Sequence, residues 1–177
     1  MPSQWQELSR DSRTQSQIDC AVEAAGLESY RSTKPACYRE ERMSTITGGC
    51  HCGAIRYQVE GKAIVHALCH CRDCRLHAGA PVVGWTMYAD DAVKVTQGEP
   101  KVYQSSEHAR RHFCGDCGTG LFYVNADMLP GVIDVQSATY DDPDAVPATM
   151  HIQVAERLGW MERAHELPTF DRYPPPP

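Results

Sequence analysis

The sequence predicts a mainly β protein assembled from short strands. Short apolar runs, several with polar residues alternating along them, recur from about residue 46 onward, and Gly, Pro or Asp separates many of them from the next. Close spacing of such runs is typical of an all-β sandwich or a small barrel-like fold. Seven cysteines in tight groups add a means of stabilising a modest core through bound metal.

The predicted strands follow one another from the end of the first cysteine group to residue 154. The clearest is residues 54–60, where apolar and polar side chains alternate before Gly61 ends the run. The other predicted strands are residues 64–68, 81–88, 93–96, 101–104, 110–113, 121–124, 132–137 and 151–154.

The chain divides by composition into three parts. Residues 1–42 are rich in Ser, Gln, Arg and Glu, which predicts a disordered or weakly helical extension. Residues 43–173 form the predicted zinc-binding domain, and residues 174–177 are a proline tail. Met43 directly precedes the first strand-like segment and is expected to be the natural start. Cys20 and Cys37 lie in the extension and are expected to have no metal role.

Charge and hydropathy exclude two broad classes of partner. The 17 Lys and Arg residues against 23 Asp and Glu residues give a formal net charge of −6, which argues against a nucleic-acid-binding protein. No run approaches the ~20 apolar residues of a membrane span. The first ten residues also lack the apolar stretch of a secretory signal. A cytoplasmic location is therefore predicted, where clustered cysteines bind metal more often than they form disulfides.

Four of the cysteines are predicted to hold a structural zinc ion. Cys50 and Cys52 form a C-x-C step, and Cys114 and Cys117 form a C-x-x-C turn far downstream. Zinc in structural sites takes four donors in a tetrahedron, and thiolates are among its preferred ligands. Because the two pairs lie far apart in the chain, a shared ion would close one long loop.

Three further cysteines, Cys69, Cys71 and Cys74, are predicted to hold a second zinc ion. Three protein ligands leave a fourth position for water or substrate, which is the pattern of catalytic zinc. Two alternatives remain at this point. A nearby histidine could close the site, with His66, His70 and His77 as candidates, or the cysteines could pair as disulfides.

These motifs resemble the glutathione-dependent formaldehyde-activating enzyme family, which also includes centromere protein V. The resemblance covers residues 46 to about 173 and rests on the order and spacing of the seven cysteines, with their Gly, His, Arg and Asp neighbours. It implies a β-tent fold of small antiparallel sheets around a structural zinc. It also implies two zinc ions, the second catalytic, and carbon–sulfur lyase chemistry that joins formaldehyde and glutathione into S-hydroxymethylglutathione.

The resulting hypothesis is a zinc-dependent enzyme that acts on a small thiol and a small aldehyde. Three thiolates give the second site a net negative charge, so a cation near it would help to hold an anionic substrate sulfur. The sequence offers four candidates: Arg72, Arg75, Arg110 and Arg111. The alternative is a zinc-stabilised interaction module without chemistry, because a Rab-binding chaperone also uses the β-tent fold. Neither hypothesis includes a nucleic-acid or membrane partner.

Overall fold

The described structure, a computed structural model that covers residues 45–175, contains ten β-strands arranged in two sheets. The strands are β1 (Ile46–Gly49), β2 (Arg56–Val59), β3 (Val65–Cys69), β4 (Val83–Ala89), β5 (Val93–Gln97), β6 (Lys101–Gln104), β7 (Ala109–Phe113), β8 (Gly120–Asn125), β9 (Val132–Gln136) and β10 (Met150–Ile152). The mainly β fold predicted from the sequence is confirmed.

The smaller sheet has the order β1-β2-β5 and is antiparallel throughout. The larger sheet has the order β10-β3-β4-β9-β8-β7-β6. Its neighbours are antiparallel except for β10, which runs parallel to β3. The last strand therefore returns to the edge beside Cys69, the end of β3, and pairs Ile152 with that cysteine.

One face of the larger sheet packs on the smaller sheet. The alternation in β2 buries Tyr57 and Val59 and leaves Gln58 half-buried, as a strand with one face on a core requires. Tyr57 meets Phe122 of β8 edge to face, with ring centroids 5.1 Å apart. This core also contains two of the cysteines, Cys50 and Cys114. The first cysteine group therefore lies where the two sheets meet.

The other face of the larger sheet carries a second, smaller buried cluster. It consists of Cys69, Cys74, Val83 and Trp85. Val83 and Trp85 alternate with Gly84 along β4, so their side chains lie on one face and that of Tyr88 lies on the other. The larger sheet therefore separates the two cysteine groups.

The described part of the chain contains one α-helix, α1 (Arg72–Ala78), which was not predicted from the sequence. Cys71 is its N-cap residue, and Gly79 ends it in a left-handed conformation with φ of 62°. Short 3₁₀ segments lie at Asp90–Ala92, Ser137–Thr139, Val154–Glu156 and Gly159–Glu166. Among the described residues, no helix is both long and apolar enough to cross a bilayer.

Residues 1–44 and 176–177 lie outside the described residues. The predicted extension, with Cys20 and Cys37, falls in the first of these ranges. The division of the chain at residue 43 and the proline tail therefore stay predictions.

Candidate metal centres and active site

The first candidate centre joins two turns that are distant in the sequence. Cys50 follows β1 directly, and Cys114 follows β7. Their sulfurs and those of Cys52 and Cys117 form a group of four that all lie within 4.8 Å of one another. Cys50 and Cys114 are buried, whereas Cys52 and Cys117 are exposed. The group of four predicted from spacing is thus brought together by the fold.

The donor set of this group fits a tetrahedral zinc ion. The Cys50 and Cys52 sulfurs are 3.5 Å apart, and the Cys52 and Cys114 sulfurs are 3.8 Å apart. Four sulfurs at ~2.3 Å from one zinc are about 3.8 Å from each other. The Ile55 N–H also donates to the Cys50 sulfur at 3.2 Å, which favours its thiolate form.

The second candidate centre lies at the start of α1. Cys69 ends β3, Cys71 caps the helix, and Cys74 lies in its first turn. Their three sulfurs lie within 4.8 Å of one another. The Cys74 N–H donates to the Cys71 sulfur at 3.3 Å. Because an N-cap residue and the third residue after it lie in one turn, the helix cap itself brings Cys71 and Cys74 together.

No histidine belongs to the three-cysteine group within residues 45–175. The ring of His70 is directed at His151, with 2.9 Å between its Nε2 atom and the Nδ1 atom of His151. The Nδ1 atom of His66 lies 2.6 Å from the Val146 carbonyl oxygen. His77 lies one turn after Cys74 and is also outside the group. All seven described cysteines are free thiols, so disulfide pairing is not the arrangement that the structure adopts.

Two buried side chains surround the sulfur of Cys74. The indole N–H of Trp85 donates to it at 3.3 Å. The guanidinium of Arg111 lies 3.7 and 3.8 Å from it through its two terminal nitrogens, and is stacked on Tyr123 at 5.0 Å from the ring centroid. No pattern in the sequence indicates the hydrogen bond between Trp85 and Cys74.

Of the four arginines proposed near this site, only Arg111 touches a cysteine sulfur in the described structure. It is 5% exposed, whereas its neighbours Arg110 on β7 and Arg72 on α1 are exposed. The Nε–H of Arg75 donates to the His70 carbonyl oxygen at 3.3 Å. Alternation along β7 directs Arg110 and Arg111 to opposite faces. Which of the two arginines is buried is set by the register of β7 with its neighbours in the sheet.

Three other polar residues near the cysteines in the sequence, His51, Asp73 and His112, belong to neither cysteine group in the described structure. The ring of His112 packs edge-on against Phe122, with 6.2 Å between centroids. His51 is exposed beside the first cysteine group. Asp73 is exposed in the first turn of α1, where its carboxylate interacts favourably with the helix dipole and stabilises the helix.

The surroundings of Cys74 favour its thiolate. A hydrogen bond from Cys69 contributes most, and those from Cys71 and Trp85 with the charge of Arg111 also help to lower the pKa of Cys74 to about 5.

Burial, helped by the charge on Cys74, raises the pKa of Asp134 on β9 to about 6. Burial and the charge of Arg111 together lower the pKa of His77. The imidazole is therefore neutral at pH 7.

A cavity of about 260 Å³ opens beside this second centre. Its lining is Asp73, Leu76, His77, Tyr103, Ser105 and Arg111. Arg111 therefore connects the cavity to the sulfur of Cys74, because the same side chain touches both. A small polar molecule in the cavity would meet a cation, a carboxylate, an imidazole and two hydroxyl groups.

A sequence model of the glutathione-dependent formaldehyde-activating enzyme family matches residues 45–156, which include both cysteine groups. The chain belongs to this family. An uncharacterized lyase of Schizosaccharomyces pombe is 30% identical over 120 residues, which are 58% of this chain and 84% of that protein. A Halomonas elongata protein that carries the family's name is 26% identical over 125 residues, which are 66% of this chain and 80% of that protein.

A crystal structure of a Rhodobacter sphaeroides protein has 24% sequence identity and a TM-score of 0.49, and the match covers 59% of this chain and 98% of that one. Membership of the glutathione-dependent formaldehyde-activating enzyme family confirms the resemblance inferred from the seven cysteines. Both cysteine groups of this family member could hold a metal ion.

Proposed function

We propose that this protein is a zinc-dependent carbon–sulfur lyase that makes and breaks a thiol–aldehyde adduct, similar to S-(hydroxymethyl)glutathione synthase. Cys69, Cys71 and Cys74 would hold the catalytic ion, and Cys50, Cys52, Cys114 and Cys117 would hold a structural one. The thiol is glutathione-like and the aldehyde is small. The family and the lyase name of one relative support this class of reaction.

The observation that carries the proposal is the composition of the second centre. Its donors are three thiols, with no histidine or carboxylate joining them within residues 45–175. Three protein ligands leave one ligand position of zinc for substrate, and zinc bound by these cysteines would supply the Lewis acidity that lowers the pKa of a substrate thiol. A four-donor group would have no such position, which is why the first centre is assigned a structural role.

The protein's own residues would bind the substrate sulfur and balance its charge. Three thiolates on a divalent ion carry one net negative charge, and a substrate thiolate would add another. The buried guanidinium of Arg111 lies against Cys74 and offsets part of this charge. The indole N–H of Trp85 on β4 donates to the Cys74 sulfur, and Trp85 is only 6% exposed, so it shields this side of the sulfur from water.

The reaction needs no oxidant or reductant. The thiol sulfur forms a bond to the carbonyl carbon, the carbon–oxygen π bond breaks, and the thiol proton is transferred to the oxygen. The reverse reaction returns the proton to sulfur and releases the aldehyde. Asp134 is a suitable group to carry this proton, because burial brings its pKa to about 6 and it shares the sheet face of Trp85.

Zinc-edge X-ray absorption of the full chain, with and without glutathione, tests the proposal. We expect the mean sulfur coordination per zinc to rise when glutathione is added, as a fourth sulfur joins the second centre. The Cys71→Ser variant should lose both this change and adduct formation while its four-cysteine centre stays loaded. An unchanged zinc shell in the native protein, or full activity in the variant, would contradict the proposal.

One observation favours the alternative, a zinc-stabilised interaction module. A mostly apolar groove of about 280 Å³ lies beside α1, and its lining includes Leu76, Pro81, Leu158 and Trp160. Leu76 is 65% exposed and Trp160 is 57% exposed. Exposed apolar patches often mark sites of protein interaction. A zinc shell that does not respond to glutathione would favour this function over catalysis.

A further inference from the structure

The cavity beside the second centre has charged groups of both signs in its lining. Arg111 on β7 contributes a guanidinium, and Asp73 on α1 contributes a carboxylate. Tyr103 and Ser105 add hydroxyl groups, and His77 adds an imidazole. Such a lining is complementary to a ligand group that itself carries a positive and a negative charge.

Neither charge forms a salt bridge within residues 45–175. No carboxylate there lies within 4.0 Å of an Arg111 nitrogen, and no Lys, Arg or His nitrogen lies within 4.0 Å of the Asp73 carboxylate. Arg111 is 5% exposed and contacts the Cys74 sulfur. A guanidinium has five N–H donors, so this contact leaves donors for a ligand in the cavity.

The two charges come from different walls of the cavity. Asp73 and His77 lie four residues apart on α1 and therefore share one helix face. Tyr103 on β6 is the cross-strand partner of Arg111 and therefore lies on the same face of the larger sheet. A ligand between helix and sheet would meet the carboxylate on one side and the guanidinium on the other.

The size of the cavity limits how much of a thiol it can enclose. Pockets for drug-sized ligands measure about 300–1,000 Å³, whereas this cavity measures about 260 Å³. It therefore encloses one end of a glutathione-like thiol and not the whole molecule. The two ends of glutathione differ in charge: the γ-glutamyl end carries an α-ammonium and an α-carboxylate group, and the glycine end carries a carboxylate alone.

We propose that this cavity binds the α-amino-acid end of the substrate thiol, with the carboxylate of that end on Arg111 and its ammonium group on Asp73. The inference rests on the proposed function and specifies the substrate class as thiols with a free α-amino-acid group. A carboxylate alone would pair with Arg111 but would also meet the like charge of Asp73. Because Arg111 touches both the cavity and the Cys74 sulfur, a group bound there is adjacent to the second centre.

Three thiols test this assignment by isothermal titration of the zinc-loaded full chain. Glutathione has both charges of the γ-glutamyl end, N-acetylglutathione lacks the ammonium group, and glutathione amidated at glycine lacks only the other carboxylate. We expect N-acetylglutathione to bind about fivefold more weakly than glutathione, the scale of an ion pair with an exposed carboxylate. The glycine amide should bind at least as tightly as glutathione.

Two variants of Asp73 assign the difference to one side chain. Asp73→Asn should weaken glutathione about fivefold and leave N-acetylglutathione unchanged, so that the two thiols bind alike. Asp73→Lys should reverse the preference. Asp91→Asn is the matched control, because Asp91 is also an exposed aspartate in the first turn of a short helical segment but lies outside the cavity lining. It should keep the native preference.

The outcomes separate this inference from the proposed function. If glutathione adds a sulfur to the zinc shell but all three thiols bind alike, or if Asp73→Asn weakens glutathione and N-acetylglutathione equally, Asp73 only stabilises α1 and the subsite is wrong. A glycine amide as weak as N-acetylglutathione also overturns it. If glutathione leaves the zinc shell of the native protein unchanged, the thiol-binding function fails and the subsite fails with it.

Discussion

The guanidinium of Arg111 lies 3.7 Å from the sulfur of Cys74, and residues 45–175 place no carboxylate within 4.0 Å of it. A buried cation without a partner is costly, so its counter-charge within the described structure is the cysteine group itself. Arg111 on β7 therefore offsets part of the negative charge of the three-cysteine group.

Replacing Arg111 with Met should weaken thiol binding. The variant removes the buried positive charge and keeps most of the side-chain volume. Because charge-assisted hydrogen bonds are worth about 1.5–3 kcal/mol, we expect glutathione affinity to fall roughly 10- to 100-fold. Isothermal titration of the zinc-loaded chain measures this. Arg111→Lys should recover part of the loss, since it restores the charge without the planar guanidinium.

Arg110→Met is the matched control for that experiment. Arg110 is the preceding residue of β7, is exposed and lies on the opposite face of the strand. The same change in charge is therefore made one residue away from the site. If Arg110→Met weakens binding as much as Arg111→Met, net charge explains the effect and the contact with Cys74 does not.

Replacing Cys114 with Ser should destabilise the whole domain. Cys114 is 1% exposed within the core shared by the two sheets, and its sulfur is 3.8 Å from that of Cys52. Loss of its thiolate should remove most of the ~10 kcal/mol or more that a structural zinc contributes to folding. Metal analysis should give one zinc per chain, with thermal unfolding at a lower temperature. Cys71→Ser should also lose one zinc yet retain a higher melting temperature.

The stability of the native protein should fall between pH 4 and pH 7 relative to Asp134→Asn. Burial raises the pKa of Asp134 to about 6 in the folded state, above its value of 3.8 in a free chain. The folded state therefore binds a proton more tightly than the unfolded state, and this contribution is present at low pH and lost as pH rises through 6. We expect a difference of about 2 kcal/mol.

Urea unfolding of both proteins at pH 4, 5, 6 and 7 measures that difference. The free energies of unfolding should converge at low pH, after allowance for a constant offset from the substitution, and should diverge in favour of Asp134→Asn as pH rises. A constant difference across the range would show that Asp134 does not titrate with a raised pKa.

Replacing Gly48 with Ala should destabilise the smaller sheet. A Cβ atom there would overlap the Tyr57 hydroxyl group and lie 2.5 Å from the Thr139 carbonyl oxygen. Backbone cannot move aside as a flexible side chain does, so the overpacking should cost about 1–3 kcal/mol. The midpoint of urea unfolding measures this. An unchanged midpoint would show that β1 shifts without cost.

The sequence was sufficient to predict the strands and the grouping of the seven described cysteines, whereas their role as zinc ligands stays a prediction. Alternation of apolar and polar residues predicts a strand, and the spacing of cysteines predicts a shared metal. Both signals are local in the sequence. The short helix α1 was not predicted, because its segment is dominated by the cysteine motif. Its start and end nevertheless carry ordinary helix signals, an acidic residue in the first turn at Asp73 and a glycine, Gly79, after the last helical residue.

The contacts of Trp85, Arg111 and Gln136 could not have been predicted in the same way. Each depends on which strand lies next to which, and the order β4-β9-β8-β7 is not sequential. Pairing of Trp85 with Gln136 joins residues that are far apart in the chain. Which of two adjacent arginines faces inward follows from register, which a single strand does not specify.

The link between Cys52 and Cys114 spans 62 residues, and the whole three-cysteine segment lies between them. The two centres are therefore nested, one inside the covalent span that the other encloses. The three inner ligands lie within residues 69–74, so an ion there closes only a short loop, whereas an ion at the outer centre closes a loop of 62 residues and restricts the unfolded chain more. Removal of the outer ion should therefore destabilise the fold more than removal of the inner one.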